Sequence, residues 1–284
     1  MPVFNEMESI EDTVRKLAAY RESSPLVCPV IIVDDGSTDG TSDYLQSLRV
    51  EGVEVVRHSL NRGYGAALKT GVLKSATEWV GIIDADLTYP LEAFEEFSRI
   101  QQESGADMVV GARTSAVSKV PLIRRPAKWM LGRLANYLSG RKIPDLNSGM
   151  RLIRKKFVLR FLPIIPNGFS FTTTITLAGE CNNYHIEYVP INYYARGGTS
   201  KIRPIADTMN FVSLIIRTVL YFAPLRVFLP MAMLLGAAAL IVLAVTWWEG
   251  RIYDATVVLL ALAALNMLGI GMIADLIDKR ASMK

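Results

Sequence analysis

The chain has 284 residues, 51% of them apolar, and a net charge of +4. That is enough for one sizeable domain plus a further segment, and there is no internal repeat or low-complexity stretch. The only two cysteines, Cys28 and Cys181, read as core thiols rather than a disulfide or metal pair, and no signal-peptide pattern opens the chain.

Met1-Pro2-Val3-Phe4-Asn5-Glu6 looks like a loop that follows a strand, yet almost no strand precedes it. A doubly wound sheet wants a central strand there, so the true start lies upstream or the chain is a truncated version. A damaged or compensated sheet centre is expected. From here to about residue 110, short apolar runs alternate with amphipathic stretches. Pro29–Val33, Val53–Arg57, Trp79–Ile83 and Met108–Val110 read as strands, and Ile10–Arg21, Thr41–Leu48, Gly65–Lys74 and Leu91–Gln102 as helices. This βαβ alternation predicts an α/β fold with a doubly wound, mostly parallel sheet.

Chemistry-bearing residues cluster after these strands. Asp34-Asp35-Gly36-Ser37-Thr38-Asp39 follows the first; its carboxylates suit a base or ribose, and its short polar side chains equally suit a helix cap. Asn61-Arg62-Gly63-Tyr64-Gly65 opens a helix whose N-terminus favours an anion. Asp84-Ala85-Asp86 lies just past the Trp79–Ile83 strand, where open α/β sheets bind ligands. Paired hard oxygen ligands there suit Mg²⁺ or Mn²⁺ held together with substrate phosphates, the alternative being a solvated acidic turn. His58 and His185 lack metal-ligand spacing and read as ordinary structural residues.

Charge is lopsided. Residues 1–107 carry 19 acidic and 9 basic side chains, whereas residues 108–179 carry 13 basic ones and a single acid, Asp145. The basic stretch implies an anionic partner: lipid headgroups, a lipid phosphate or a nucleotide diphosphate, in preference to nucleic acid. Arg124–Leu138 is helical in pattern and fits either the membrane interface or a helix packed on the sheet. Asp145, in Asp145-Leu146-Asn147-Ser148-Gly149-Met150-Arg151, is either a salt-bridge partner or an active-site group. Arg196-Gly197-Gly198-Thr199-Ser200-Lys201 is either a basic loop that folds over a diphosphate or a solvated loop.

Asp207–Phe222 is amphipathic and reads as an interfacial helix leading into the membrane. Val227–Trp248 (22 residues) and Ala255–Ala274 (20 residues) carry no charge and are separated only by Glu249–Asp254. At about 1.5 Å per residue each spans a hydrocarbon core, which predicts a transmembrane hairpin. Trp247, Trp248 and Tyr253 suit the far interface. Arg217, Arg226, Lys279, Arg280 and Lys284 flank the near side against Arg251 alone in the turn, which places both termini and the main domain in the cytoplasm.

Taken in order, these motifs closely resemble family 2 glycosyltransferases of the GT-A (Rossmann-like) fold. The nearest group is the polyprenyl-phosphate glycosyltransferases, which include dolichyl-phosphate mannose synthases. The resemblance runs from Pro2 to about Lys201 and continues into a two-helix anchor. It implies a glycosyltransferase domain over 1–206, a juxtamembrane helix over 207–226, and the hairpin with a short tail over 227–284. It also implies residue roles. Pro2, Phe4 and Glu6 line the nucleotide pocket, and Asp34 and Asp35 touch the base or ribose. Asp84 and Asp86 bind the metal. Arg113 faces the acceptor phosphate, with Arg124 or Arg125 as a second arginine. Asp145, Ser148 and Gly149 form the acceptor loop, and Arg196, Ser200 and Lys201 cover the diphosphate. Two departures stand out: the first strand is missing, and Thr88, counted here with Asp84 and Asp86 as a weaker metal ligand, stands where relatives often place a metal-binding glutamine.

The implied reaction is inverting transfer of a sugar from a UDP- or GDP-sugar to undecaprenyl or dolichyl phosphate, with Mg²⁺ or Mn²⁺. An acceptor phosphate needs little help from a base. Transfer to a lipid hydroxyl would need one, with Asp145 the candidate. A catalytically dead membrane scaffold of the same fold is the reading from another class. The expected partners are the sugar donor, the lipid acceptor and the bilayer; no nucleic acid is expected, and homo-oligomerisation is left open.

Overall fold

The computed structural model describes residues 1–26, 28–86, 88–114, 132–137, 139–168, 170–194, 204–250 and 255–282. Among the described residues, seven strands fall into two sheets. β1 (Pro2–Val3), β2 (Val30–Asp34) and β3 (Val53–Arg57) are parallel in the order β1-β2-β3, with Pro2 opposite Val33 and Val30 opposite Val53. β4 (Trp79–Ile82), β5 (Met108–Ala112), β6 (Arg151–Arg154) and β7 (Ile186–Pro190) follow the order β4-β6-β5-β7. β5 and β7 are parallel, whereas β6 runs antiparallel to both of its neighbours. The alternating pattern over the first 110 residues gives no sign of β6, because Arg-Leu-Ile-Arg is too short and too basic to stand out as a buried strand.

Helices α1 (Ile10–Ser23), α2 (Thr41–Ser47), α3 (Tyr64–Lys74) and α4 (Ala93–Ser104) connect the early strands. α5 (Lys155–Phe161) and α6 (Phe171–Cys181) lie between β6 and β7. All five residues of β5 are buried, as expected for a strand covered on both faces. One face packs with Leu68, Val72, Ile153, Phe157 and Ile175, the other with Phe97, Met150 and Val189. A third cluster, Val3, Ile10, Val14, Ile32, Leu45 and Ala85, joins β1, β2 and α1 to the turn beyond β4.

α7 (Pro204–Phe222), α8 (Leu225–Trp248) and α9 (Ala255–Ser282) complete the chain. The amphipathic face of α7 is packed on the domain: Ile215 and Val219 are buried with Ala135, Ile143 and Leu177, and Phe222 meets Phe161 edge-on at 5.4 Å. Gly140, with φ +72°, leaves room for the guanidinium of Arg226 at the root of α8, where a Cβ would overlap it. α8 and the stretch Ala255–Ile277 of α9 are 24 and 23 residues long, and only 11% and 6% of their apolar windows are buried. Core helices of a soluble domain are covered; these two are covered chiefly by each other, with Phe228 seated on Gly271. They have the length and composition of a membrane hairpin.

Candidate active site beyond the ends of β4 and β5

The Asp84-Ala85-Asp86 turn leaves the C-terminal end of β4 and is pinned from several sides. The Thr13 hydroxyl of α1 donates to the Ala85 carbonyl at 2.8 Å. The Tyr64 hydroxyl donates to Asp84 Oδ1 at 2.8 Å. Asp86 Oδ1 accepts from the Thr88 amide at 3.2 Å and the Thr88 hydroxyl at 2.6 Å. Thr88 is thus turned toward Asp86 and steadies its carboxylate.

Burial pushes the Asp84 carboxyl up to about 6; the Tyr64 bond opposes this and the charge of Asp86 adds to it. Two carboxylates set one residue apart, one of them costly to ionise, are the electrostatic condition that a divalent cation relieves. Among the described residues no group of three or more His, Cys, Asp or Glu side chains could hold a metal. The site therefore matches an ion that takes one or two carboxylates and completes its shell with substrate oxygens and water.

The Asp145–Gly149 loop closes on this turn from the other side. A Cβ on Gly149 would overlap the Asp84 carboxylate, so only glycine lets the loop approach this far. The Gly149 amide donates to the Tyr89 hydroxyl at 2.9 Å. Asp145 receives Arg113 as a fork, Nε to Oδ2 at 2.7 Å and Nη2 to Oδ1 at 2.9 Å, and also takes the Arg113 amide at 3.0 Å. Burial alone would raise the Asp145 carboxyl, but the Arg113 guanidinium and nearby amides outweigh it and hold the group below the usual carboxylate range. Arg113 in turn is a firmly held cation, its guanidinium 5.3 Å above the Tyr193 ring.

Arg151 underlies this loop. It is fully buried, and its guanidinium donates to the carbonyls of Ser148 (2.9 Å) and Leu146 (3.2 Å) and to the Thr176 hydroxyl (2.6 Å). The Ser148 side chain is buried as well. Arg151 ends the Asp145–Arg151 motif and Tyr64 lies inside Asn61–Gly65, so both stood in view in the sequence; their roles depend on tertiary contacts that no spacing encodes.

The residues that the resemblance assigns to the nucleotide pocket gather at the ends of β1 and β2. Pro2 pairs with Val33, and Phe4 is exposed. The Glu6 carboxylate accepts from Ser9. Asn5 and Ser37 bond each other's loops, with the Asn5 amide on the Ser37 hydroxyl and the Thr38 amide on Asn5 Oδ1. Asp34 and Asp35 are buried. Asp34 accepts from the Ser37 amide and the Ser42 hydroxyl. Asp35 lies 2.6 Å from His58 Nδ1 and accepts the amides of Arg62 (3.0 Å) and Gly63 (2.7 Å).

The expected anion site at the start of α3 does not form, because protein carbonyls fill it. The Gly65 and Ala66 amides donate to Gly168 and Asn167. Arg124, Arg125, Arg196, Ser200 and Lys201 lie outside the described residues.

Residues 1–161 match the model of Glycosyl transferase family 2, and residues 223–279 match that of the GtrB C-terminal hairpin. The chain is 30% identical over 167 residues to the bactoprenol glucosyl transferase of Shigella phage SfV, covering 57% of this chain and 54% of that protein. It is 29% identical over 207 residues to the dolichyl-phosphate hexose transferase of Haloferax volcanii, covering 72% and 86%. The chain thus spans about half the length of the bactoprenol relatives it matches. In fold it resembles glucosyl-3-phosphoglycerate synthase from Mycobacterium tuberculosis, solved with Mn²⁺, UDP-glucose and phosphoglyceric acid. The TM-score is 0.58 and the identity 18%, over 77% of each chain. It also resembles Staphylococcus aureus TarS bound to UDP, with TM-score 0.52 and 18% identity over 77% of this chain and 64% of that one. The strand ladder, the paired carboxylates beyond β4 and the matched family model lead to one assignment: this chain is a member of glycosyl transferase family 2, with the GT-A fold.

Proposed function

We propose that the chain is a membrane-anchored inverting glycosyltransferase that moves a sugar from a UDP- or GDP-sugar to a polyprenyl phosphate. The observation that carries this reading is the contact of the Asp145–Gly149 loop with Asp84, which sets the loop that holds Arg113 directly against a carboxylate pair. The names of the relatives carry bactoprenol, dolichyl phosphate and undecaprenyl phosphate, and glucosyl-3-phosphoglycerate synthase, one of the solved neighbours, binds UDP with Mn²⁺.

Asp84 and Asp86 would hold Mn²⁺ or Mg²⁺, whose charge offsets the negative charge that builds on the departing diphosphate. Tyr64 and Thr88 orient the two carboxylates. Arg113, held by Asp145 through Nε and Nη2, keeps its remaining N–H donors for an acceptor phosphate, with Arg124 or Arg125 as the second cation. Arg196, Ser200 and Lys201 would cover the diphosphate; Pro2, Phe4, Glu6, Asp34 and Asp35 would bound the nucleoside pocket. A phosphate monoester already carries about −1.5 to −2 charge at neutral pH and attacks the anomeric carbon without a base. The hairpin would keep the site beside the headgroups, and the excess of Arg and Lys flanking it supports a cytoplasmic domain.

Transfer to a lipid hydroxyl fits less well. Asp145 would be its base, and the Arg113 fork lowers the basicity of that carboxylate. The test is a screen of UDP- and GDP-sugars against undecaprenyl phosphate, dolichyl phosphate and diacylglycerol with Mn²⁺ or Mg²⁺. Product only on the phosphates supports the proposal; product only on diacylglycerol overturns it.

A further inference from the structure

Among the described residues Arg151 is the largest fully buried side chain. The described bonds of its guanidinium all run to neutral groups: the Ser148 and Leu146 carbonyls, the Thr176 hydroxyl and, at 3.7 Å, Met108 Sδ. A cation taken out of water with no carboxylate bonded to it is costly, and burial pulls this guanidinium below its ordinary range. An apolar side chain of the same volume would fill the space at less cost. What arginine adds is a rigid fork that reaches several oxygens at once.

The backbone puts that fork at a junction. In β6, Arg151 stands opposite Ile82 of β4 and Val110 of β5. β4 leads on to Asp84, and β5 to Arg113. The loop between them, Asp145 to Gly149, has neither helix nor strand to stiffen it. Yet its two ends meet the groups that matter: Asp145 takes the Arg113 fork, and Gly149 lies against Asp84. Arg151 grips the carbonyls on either side of Asn147, and the Asn147 side chain accepts from the Thr173 hydroxyl. Thr173 and Thr176 both belong to α6. The loop is thus tied to α6 and to the strand ends through one buried side chain.

We propose that Arg151 is a positioning residue for the lipid acceptor: it fixes the Asp145–Gly149 loop so that Arg113 meets the lipid phosphate at a set distance from Asp84 and Asp86. This rests on the function proposed above. Tyr64 holds Asp84 and Thr88 holds Asp86, and neither bond runs through Arg151. Loss of the fork therefore releases the lipid side of the site and leaves the metal side in place.

The test uses the full chain in vesicles with Mn²⁺, undecaprenyl phosphate and the UDP- and GDP-sugars. Arg151→Met keeps an apolar stem, and Arg151→Lys keeps the charge; both lose the fork. Each is expected to lower kcat/KM for the lipid phosphate by about tenfold or more, with donor KM and Mn²⁺ affinity within about twofold of the unaltered chain. Exchange of the Asn147 and Gly149 amides should quicken about tenfold, while that of Ile32 in β2 holds. Full activity in Arg151→Lys assigns the effect to charge alone and overturns the proposal. So do equal losses toward donor and lipid, or exchange that quickens as much in β2 as in the loop. If neither variant folds, Thr176→Val decides: it takes one partner from the fork and should raise the lipid KM about threefold and quicken the Gly149 amide. No change in either refutes the positioning role. If the unaltered chain transfers no sugar to a lipid phosphate, the function proposed above fails, and the exchange comparison still decides whether Arg151 holds the loop.

Discussion

Two carboxylate pairs stand beyond strand ends in this molecule, and their surroundings give them different work. Asp34 and Asp35, beyond β2, are enclosed by donors: the Ser37 and Ser42 groups on one, His58 and two backbone amides on the other. Asp84 and Asp86, beyond β4, accept from Tyr64 and Thr88, and Asp84 is raised to about 6. A carboxylate bonded by several protein N–H groups is held in place and orders the loops around it, while one that burial makes costly to ionise and that stands beside a second carboxylate is the natural seat of a cation. The surroundings of the acids, rather than their spacing, set the two pairs apart.

The largest effect expected from this contrast is at Asp86. Asp86→Ala should lower sugar transfer by about 10³-fold, or about 4 kcal/mol, with little change in Tm. Asp35→Ala should act first on the fold. It strands the Arg62 and Gly63 amides and His58, costs about 3 kcal/mol of stability and lowers Tm by about 6–12 °C, while Mn²⁺ binding survives. Thermal scans and metal titrations on both variants check the pair, and equal activity losses without a Tm difference would erase the distinction.

The pH dependence sharpens it. The Asp84 carboxyl binds its proton more tightly folded (about 6) than unfolded (3.8), so stability falls as pH rises from about 4 to 6. The Met1 ammonium goes the other way, at about 6 folded against 8.0 unfolded, so stability rises from about pH 6 to 8. Each contributes up to about 3 kcal/mol, an upper figure because both residues keep some contact with solvent. The metal-free chain should therefore show a stability minimum near pH 6 in denaturant or thermal titrations. Stabilisation by Mn²⁺ should fade as pH drops through 6, where protons compete for Asp84. The smallest effect is expected at Arg113: Arg113→Lys keeps the charge but loses the fork on Asp145, raising the KM for the lipid acceptor about tenfold, or about 1.4 kcal/mol, with donor KM unchanged.

Much of this was legible in the chain. β-branched runs such as Val30-Ile31-Ile32-Val33 and the uncharged stretches after Arg226 announce themselves by local physics, since burial on both faces or in lipid leaves a continuous apolar signal. The carboxylates and the Asp145 loop were visible as residues out of keeping with their surroundings, and Arg113 through the family resemblance. β6 was not, because a strand that buries an arginine is tolerable only through carbonyls at Leu146 and Ser148 that fold back onto it. Nor was the occupied start of α3 visible, where the 167–168 carbonyls fill amides that the glycine pattern leaves open. Both depend on segments about 100 residues apart or on a loop's return path, which periodicity does not record.

The central claim is that Asp84 and Asp86 serve sugar transfer to a lipid phosphate. Its most direct test follows labelled sugar from UDP- and GDP-donors into undecaprenyl or dolichyl phosphate by the full chain in vesicles, with Mn²⁺, with chelator, and with Asp86→Ala. The account predicts labelled phospholipid with Mn²⁺ alone, lost under the other two conditions. Undiminished product in the presence of chelator and from Asp86→Ala would contradict it.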